Sequence, residues 1–166
     1  MAHVLPDVLA PGLQMVFCGT AASRISAQKG YNYANPGNLF WPTLKKLRLI
    51  PATFDPAQFR TLPQFGLGLT DLCKNSIGND DELDAASYDT AALTRKIKKY
   101  QPRVLAFTSK QGASVYLQRK VAYGLQDDMV GITRIYVLSS TSGRARRFFD
   151  EAVWAQLVHD CYEKNL

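Results

Sequence analysis

A carboxylate that continues an apolar stripe is the first feature of this sequence that could do chemistry. In Leu67-Gly68-Leu69-Thr70-Asp71, strand alternation puts Asp71 on the same face as Leu67 and Leu69. At a crevice mouth, partial loss of hydration would raise its pKa and make it a better general base. Aspartates at strand ends also form Asx-turns and helix caps, so a turn residue is the competing reading.

Three more segments carry recognition chemistry. Gly19-Thr20-Ala21-Ala22-Ser23 follows an apolar run, and its small side chains would let a ligand approach backbone N–H groups. It has neither the G-x-G-x-x-G of dinucleotide folds nor the G-K-[ST] of P-loops. The run from Ser139 to Arg147 (SSTSGRARR) holds three arginines and no acid. Its hydroxyl groups suit phosphate oxygens, and its arginines suit phosphates or base edges; the competing reading is a solvated basic loop. The run from Lys29 to Asn38 (KGYNYANPGN) mixes tyrosines and glycines and could stack a flat ring, although such tyrosines also pack on domain surfaces. Asp80-Asp81-Glu82-Leu83-Asp84 lacks EF-hand spacing and reads as a solvated loop. Cys18, Cys73 and Cys161 are too few and too far apart for a disulfide framework or a zinc site, and His3 and His159 are isolated. No metal or other cofactor is expected.

The elements that must position these residues alternate between strand and helix. Strands are predicted over Gln14–Gly19, Phe65–Leu72, Arg103–Ser109 and Arg134–Ser139. Helices are predicted over Phe40–Leu49, Asp89–Tyr100, Lys110–Arg119 and Phe149–Lys164. This alternation predicts an α/β fold, a three-layer α/β/α sandwich around a largely parallel sheet, forming a single domain over residues 1–166. In such folds ligands bind beyond the carboxyl ends of the strands. Thr20–Ser23, Thr70–Asn75 and Ser139–Arg147 would meet there.

Composition sets the outer bounds. A chain of 166 residues that is 46% hydrophobic and 20% charged fits a globular domain with a sizeable core. No apolar run is long enough for a membrane span, and Met1–Gly12 lacks the pattern of a signal peptide, so a cytoplasmic, nucleoid-associated protein is expected. The net charge of +6 favours a polyanionic partner.

Together these segments resemble the mismatch-specific uracil-DNA glycosylases and the thymine-DNA glycosylases. The resemblance runs from about Val8 to Val158. It is carried by VLAPGLQMVFCG, GYNYANPGNLFW (Gly30–Trp41), GLTDL (Gly68–Leu72), KKYQPRVLAF (Lys98–Phe107) and STSGR (Ser140–Arg144), in family order. It implies a uracil-DNA glycosylase-like fold and a monomer acting on double-stranded DNA that contains uracil or a mismatch. Such an enzyme flips the base, favouring a G:U mispair, and hydrolyses its N-glycosidic bond to leave an abasic site in base excision repair. By resemblance, Tyr33 stacks on the flipped base, the backbone of Thr20 and Ala21 faces its edge, and Ser26 lies near the thymine methyl position. Gly143 and Arg144 match the wedge that fills the gap in the duplex, with Ser140, Ser142 and Arg146 beside it. Lys110 begins a helix similar to a phosphate-contacting element.

Two departures shift the expectations. The family's first motif usually reads Gly-Ile-Asn-Pro-Gly, and its asparagine orients the attacking water; here Ala21 stands in that place. Some relatives carry aspartate at the position of Asp71, which makes Asp71 the expected catalytic group. The wedge motif Asn-Pro-Ser-Gly becomes Ser140-Thr141-Ser142-Gly143, followed by Arg144 where bacterial relatives have leucine. Three rival readings stand beside this one: a catalytically weak mismatch or lesion binder, a glycosylase for hypoxanthine or xanthine admitted by the small Ala21, and a nucleotide-processing α/β enzyme. The arginine loop argues against the last.

Overall fold

The apolar runs become strands and the amphipathic runs cover them. The computed structural model describes residues 3–164; the first two and last two positions of the domain expected over residues 1–166 lie outside these. The strands are β1 (Met15–Ala22), β2 (Leu67–Ile77), β3 (Val104–Phe107), β4 (Gly124–Val130) and β5 (Thr133–Val137). They form one sheet in the order β2-β1-β3-β5-β4. All pair in parallel except β4, which runs antiparallel to β5. The helices are α1 (Arg24–Lys29), α2 (Phe40–Lys46), α3 (Thr90–Tyr100), α4 (Lys110–Leu117) and α5 (Glu151–Val158). Among the described residues no helix is long and apolar enough to cross a membrane.

Strand alternation divides the core into two layers. Met15, Phe17, Leu67, Leu69, Val104, Ala106 and Tyr136 pack on one face against α2, α5 and a 3-10 segment over Pro56–Phe65. Val16, Cys18, Leu72, Leu105, Phe107, Ile135 and Val137 pack on the other against α3 and α4. The expected three-layer α/β/α arrangement is thus present.

Side-chain caps fix where the helices begin. Asp89, Ser109 and Asp150 each accept a hydrogen bond from a backbone N–H in the first turn of α3, α4 and α5. Two predicted helices are shorter than expected at their starts for this reason, since Asp89 and Asp150 are caps. The last helix gives way to a π-helical turn over His159–Glu163.

Three further corrections concern strands. Thr70–Asn75 was expected to follow its strand, but β2 continues through it to Ile77, so Asp71 sits mid-strand, opposite Gly19 of β1. The reach of β2 comes from both its neighbours: Ala21 and Ala22 of β1 pair with Cys73 and Ile77, and Val4 N–H donates to Lys74 O at 2.8 Å. Likewise β1 continues through Thr20 to Ala22, so most of Thr20–Ser23 is strand. Strand β4 was not predicted at all. It is an edge strand whose buried positions, Gln126 and Val130, are too few to form an apolar run.

The outer edge of β2 is covered by the N-terminal segment. Val8 and Leu69 exchange backbone hydrogen bonds of 2.9 Å, so this edge does not offer an open template for another chain. The close approach needs Gly68, because a Cβ there would lie 2.5 Å from Val8 O.

Candidate active site

A cavity of about 360 Å³ opens beyond the carboxyl ends of β1, β3 and β5. This is within the size range of small-ligand sites and is where a doubly covered parallel sheet is expected to bind. β1 supplies Gly19 to Ala22, β2 supplies Asp71, and Thr108 and Ser109 follow β3. The pairing of β1 with β3 ends at Cys18↔Phe107, so beyond that point β1 has no strand on this side.

Asp71 forms the floor. Its carboxylate is 6% exposed. Asn32 Nδ2 donates to Oδ2 at 3.4 Å, and Lys74 Nζ lies 3.8 Å from the same oxygen. Among the described residues no donor reaches Oδ1. That oxygen leans over the bare Cα of Gly19, where a Cβ would lie 2.7 Å from it. Glycine is required here by space: any side chain would displace the carboxylate. Burial pushes the Asp71 pKa above the ordinary carboxylate value, and Lys74, Lys96 and the Asn32 amide only partly oppose this.

The lysine beside Asp71 is itself committed. Lys74 Nζ pairs with Asp7 at 2.9 Å, and Lys96 pairs with the other Asp7 oxygen at 2.7 Å. Thr70 Oγ1 also donates to Asp7. Burial of Asp7 is outweighed by Lys74, Lys96 and Thr70, so its pKa lies below the ordinary value. A buried charge is tolerated when it is paired in this way. The two aspartates of this network are therefore shifted in opposite directions, and the one facing the cavity is the one raised.

The run from Tyr31 to Asn38 forms one wall. Trp41 Nε1 donates to Asn32 O at 2.8 Å, and Ala34 N–H donates to Ser26 Oγ at 3.1 Å. These anchors hold Tyr33 at a positive φ of 56°, uncommon for a residue with a side chain. Its ring stacks on Phe40 with centroids 3.9 Å apart and planes within 7°. One ring face is thus occupied, and Tyr33 lines the cavity. Such a backed aromatic platform suits a flat ring.

The arginine loop forms the rim. Ser140 accepts from Ser142 N–H, and Ser142 caps a 3-10 turn over Gly143–Phe148. Arg144 reaches across to Asp81 at 3.5 Å, and Arg146 Nη2 donates to Gly37 O at 2.9 Å. Leu39 N–H donates to Thr141 O, which ties the aromatic wall to this loop. On the opposite side the Thr20 hydroxyl donates to Asp80.

Of the expected site residues, the cavity gathers Thr20, Ala21, Ser26, Tyr33, Asp71, Ser140, Ser142 and Arg144. Lys110, Gly143 and Arg146 do not line it. Lys110 starts α4 with its Nζ 4.1 Å from the centre of the Tyr123 ring. Sequence reasoning missed Asn32, Thr108 and Ser109, which line the cavity, and it set Asp80 and Asp81 aside as a solvated loop. Ser109 was findable as a hydroxyl residue ending a strand and capping a helix; Asn32 and Thr108 gave no local signal. Among the described residues no three His, Cys, Asp or Glu side chains gather as a metal site would require. Burial raises the thiol pKa of all three cysteines, that of Cys73 to about 11 and that of Cys161 to about 12.

The chain is similar to a solution NMR structure of a provisionally named uracil DNA glycosylase from Methanosarcina acetivorans. The two share 26% sequence identity and a TM-score of 0.62, over 93% of this chain and 97% of that one. The profile of the uracil DNA glycosylase superfamily matches residues 6–159. The chain therefore belongs to the uracil DNA glycosylase superfamily, whose members are glycosylase hydrolases that act on DNA.

Proposed function

We propose that this protein removes uracil from double-stranded DNA, preferably where it is mispaired with guanine, and leaves an abasic site. The observation that carries the reading is the buried Asp71 carboxylate, with Oδ1 undonated, at the floor of a polar cavity behind an aromatic platform.

The duplex docks against the rim, and Arg144 enters the gap left by the flipped nucleotide. Flipping costs a few kcal/mol and least at a mismatch, which favours G:U over a normal pair. Uracil stacks on the Tyr33 face not covered by Phe40. As the glycosidic bond lengthens, the sugar gains positive charge and the uracil leaves as an anion. Ionised Asp71 stabilises the cation and takes a proton from the attacking water. Backbone N–H groups of Thr20 to Ala22 stabilise the leaving uracil. Ala21 cannot orient water, which is why that role falls to Asp71.

The enzyme is monofunctional. No lysine lines the cavity among the described residues, and Lys74, the lysine nearest Asp71, is held by Asp7. A second reading, excision of hypoxanthine or xanthine, is favoured by the small side chain of Ala21, which lines the cavity.

Single-turnover cleavage of duplexes containing G:U, A:U, G:T and G:hypoxanthine, and of single-stranded uracil DNA, tests the reading. Fastest cleavage of G:U is expected. Fastest cleavage of G:hypoxanthine would favour the second reading, and binding without cleavage of any substrate would leave a lesion-binding protein.

A further inference from the structure

Two donors stand near the Asp71 carboxylate on the cavity side, and only one of them serves it. The Asn32 amide donates to Oδ2. The Tyr33 hydroxyl leans over the same bare Gly19 Cα as Asp71 Oδ1, since a Cβ there would lie 3.1 Å from the hydroxyl and 2.7 Å from Oδ1. Its hydrogen-bond partner is Thr108 and not Asp71. Tyr33 and Thr108 share a hydrogen bond of 3.1 Å, and Thr108 Oγ1 donates its own proton to Cys18 O at 3.3 Å. A threonine hydroxyl has one proton; with that proton on Cys18 O, the bond between the two hydroxyls is made by Tyr33 donating to Thr108, and this is the arrangement the proposal takes. The relay runs from Tyr33 through Thr108 to a backbone carbonyl and bypasses the carboxylate. Thr108 is itself fixed, because its N–H donates to the same Cys18 carbonyl at 3.0 Å.

We propose that Thr108 is a positioning residue for Asp71: by accepting the Tyr33 proton it keeps that donor off the carboxylate and leaves Oδ1 available to water or sugar. The inference rests on the reading of Asp71 as the catalytic group. A carboxylate relieved of one hydrogen bond is a stronger base and keeps a lone pair for the reaction. The same bond orients the Tyr33 ring, already backed by Phe40, so one threonine serves both the platform and the floor. The other groups that act on Asp71 are Lys74 on β2, Lys96 on α3, Asp7 on the N-terminal segment, and the thiols of Cys18 on β1 and Cys73 on β2. None of the test substitutions replaces any of them.

The test is a carbon-13 NMR titration of the Asp71 side-chain carboxyl, its signal assigned by loss in Asp71→Asn. Tyr33→Phe is expected to leave the midpoint in place, because the hydroxyl does not serve Asp71. Thr108→Val frees the Tyr33 proton, which turns to the carboxylate and lowers the midpoint by about one pH unit. Thr108→Ser keeps the acceptor and the wild-type midpoint, and adding Tyr33→Phe to Thr108→Val restores it. A midpoint raised by Tyr33→Phe would show that Tyr33 already donates to Asp71 and would overturn the proposal. An unmoved midpoint in Thr108→Val would overturn it as well. Should Thr108→Val fail to fold, Thr108→Ala removes the same acceptor and is read the same way. The readout needs no cleavage, so failure of the glycosylase reading would appear in the activity assay and leave this titration standing.

Discussion

At the floor of the cavity the Asp71 carboxylate is 6% exposed, pressed against Gly19 and held from one side by Asn32. At the rim Arg144 and Asp81 are 63% and 69% exposed and face each other across 3.5 Å. Both regions pair charge with polarity, yet their energetics differ. Water screens the rim pair, which is worth at most about 1 kcal/mol, and each partner is free to leave the other. The floor is held by volume and by the cost of burial, so its groups cannot move without loss. Under the proposed function, the reacting group sits on a packed strand and the DNA contacts sit on loops that can rearrange.

The largest effect should come from crowding the floor. Gly19→Ala puts a methyl group where the Asp71 carboxylate sits, and is expected to lower single-turnover cleavage about 10²-fold and stability by about 1–3 kcal/mol. Wild-type cleavage by this variant would break the picture of a floor held by volume. The rim gives smaller effects of another kind. Arg144→Ala is expected to weaken duplex binding about tenfold and to reduce the slope of log affinity against log salt by about one. A salt slope that does not change would remove Arg144 from the docking surface.

Asp71 itself should show the cost of its placement. The folded state holds its proton more tightly than the unfolded chain, where the pKa is near 3.8. Stability from that proton is complete below the unfolded value and is lost as pH rises through the raised folded value. Asp71→Asn is therefore expected to raise Tm at neutral pH, with the gain shrinking as the pH falls. A lower Tm at neutral pH would mean that the ion pair with Lys74 outweighs burial. The smallest effect belongs to Asp81→Asn, which releases Arg144 and should tighten duplex binding about twofold to threefold at low salt and not at high salt. Weaker binding would show that Asp81 orders the loop for DNA.

Much of this arrangement was legible in the sequence, and the failures have physical causes. Short-range patterns exposed β1, β3, α3 and the start of α4, because apolar periodicity acts locally. Alternation also placed Asp71 correctly on the face of Leu67 and Leu69. Its position along β2 was misjudged, because Lys74 and Asn75 look like loop residues; Lys74 is strand because Asp7, far away in sequence, neutralises it. β4 escaped notice because this edge strand buries only Gln126 and Val130 and so shows no apolar alternation. Asn32, Thr108 and Asp80 joined the site through hydrogen bonds spanning 39, 75 and 60 positions. No window along the chain contains such pairs.

Single-turnover cleavage of a G:U duplex by wild type and by Asp71→Asn, followed across pH, decides whether Asp71 is the catalytic group. Wild type is expected to lose activity as the pH falls through a value above the usual carboxylate range, since burial raises the pKa of Asp71 and only its ionised form works. Asp71→Asn should bind the duplex as wild type does, cleave it about 10³-fold more slowly, and show no such acid limb. Cleavage by Asp71→Asn at the wild-type rate would remove Asp71 from catalysis.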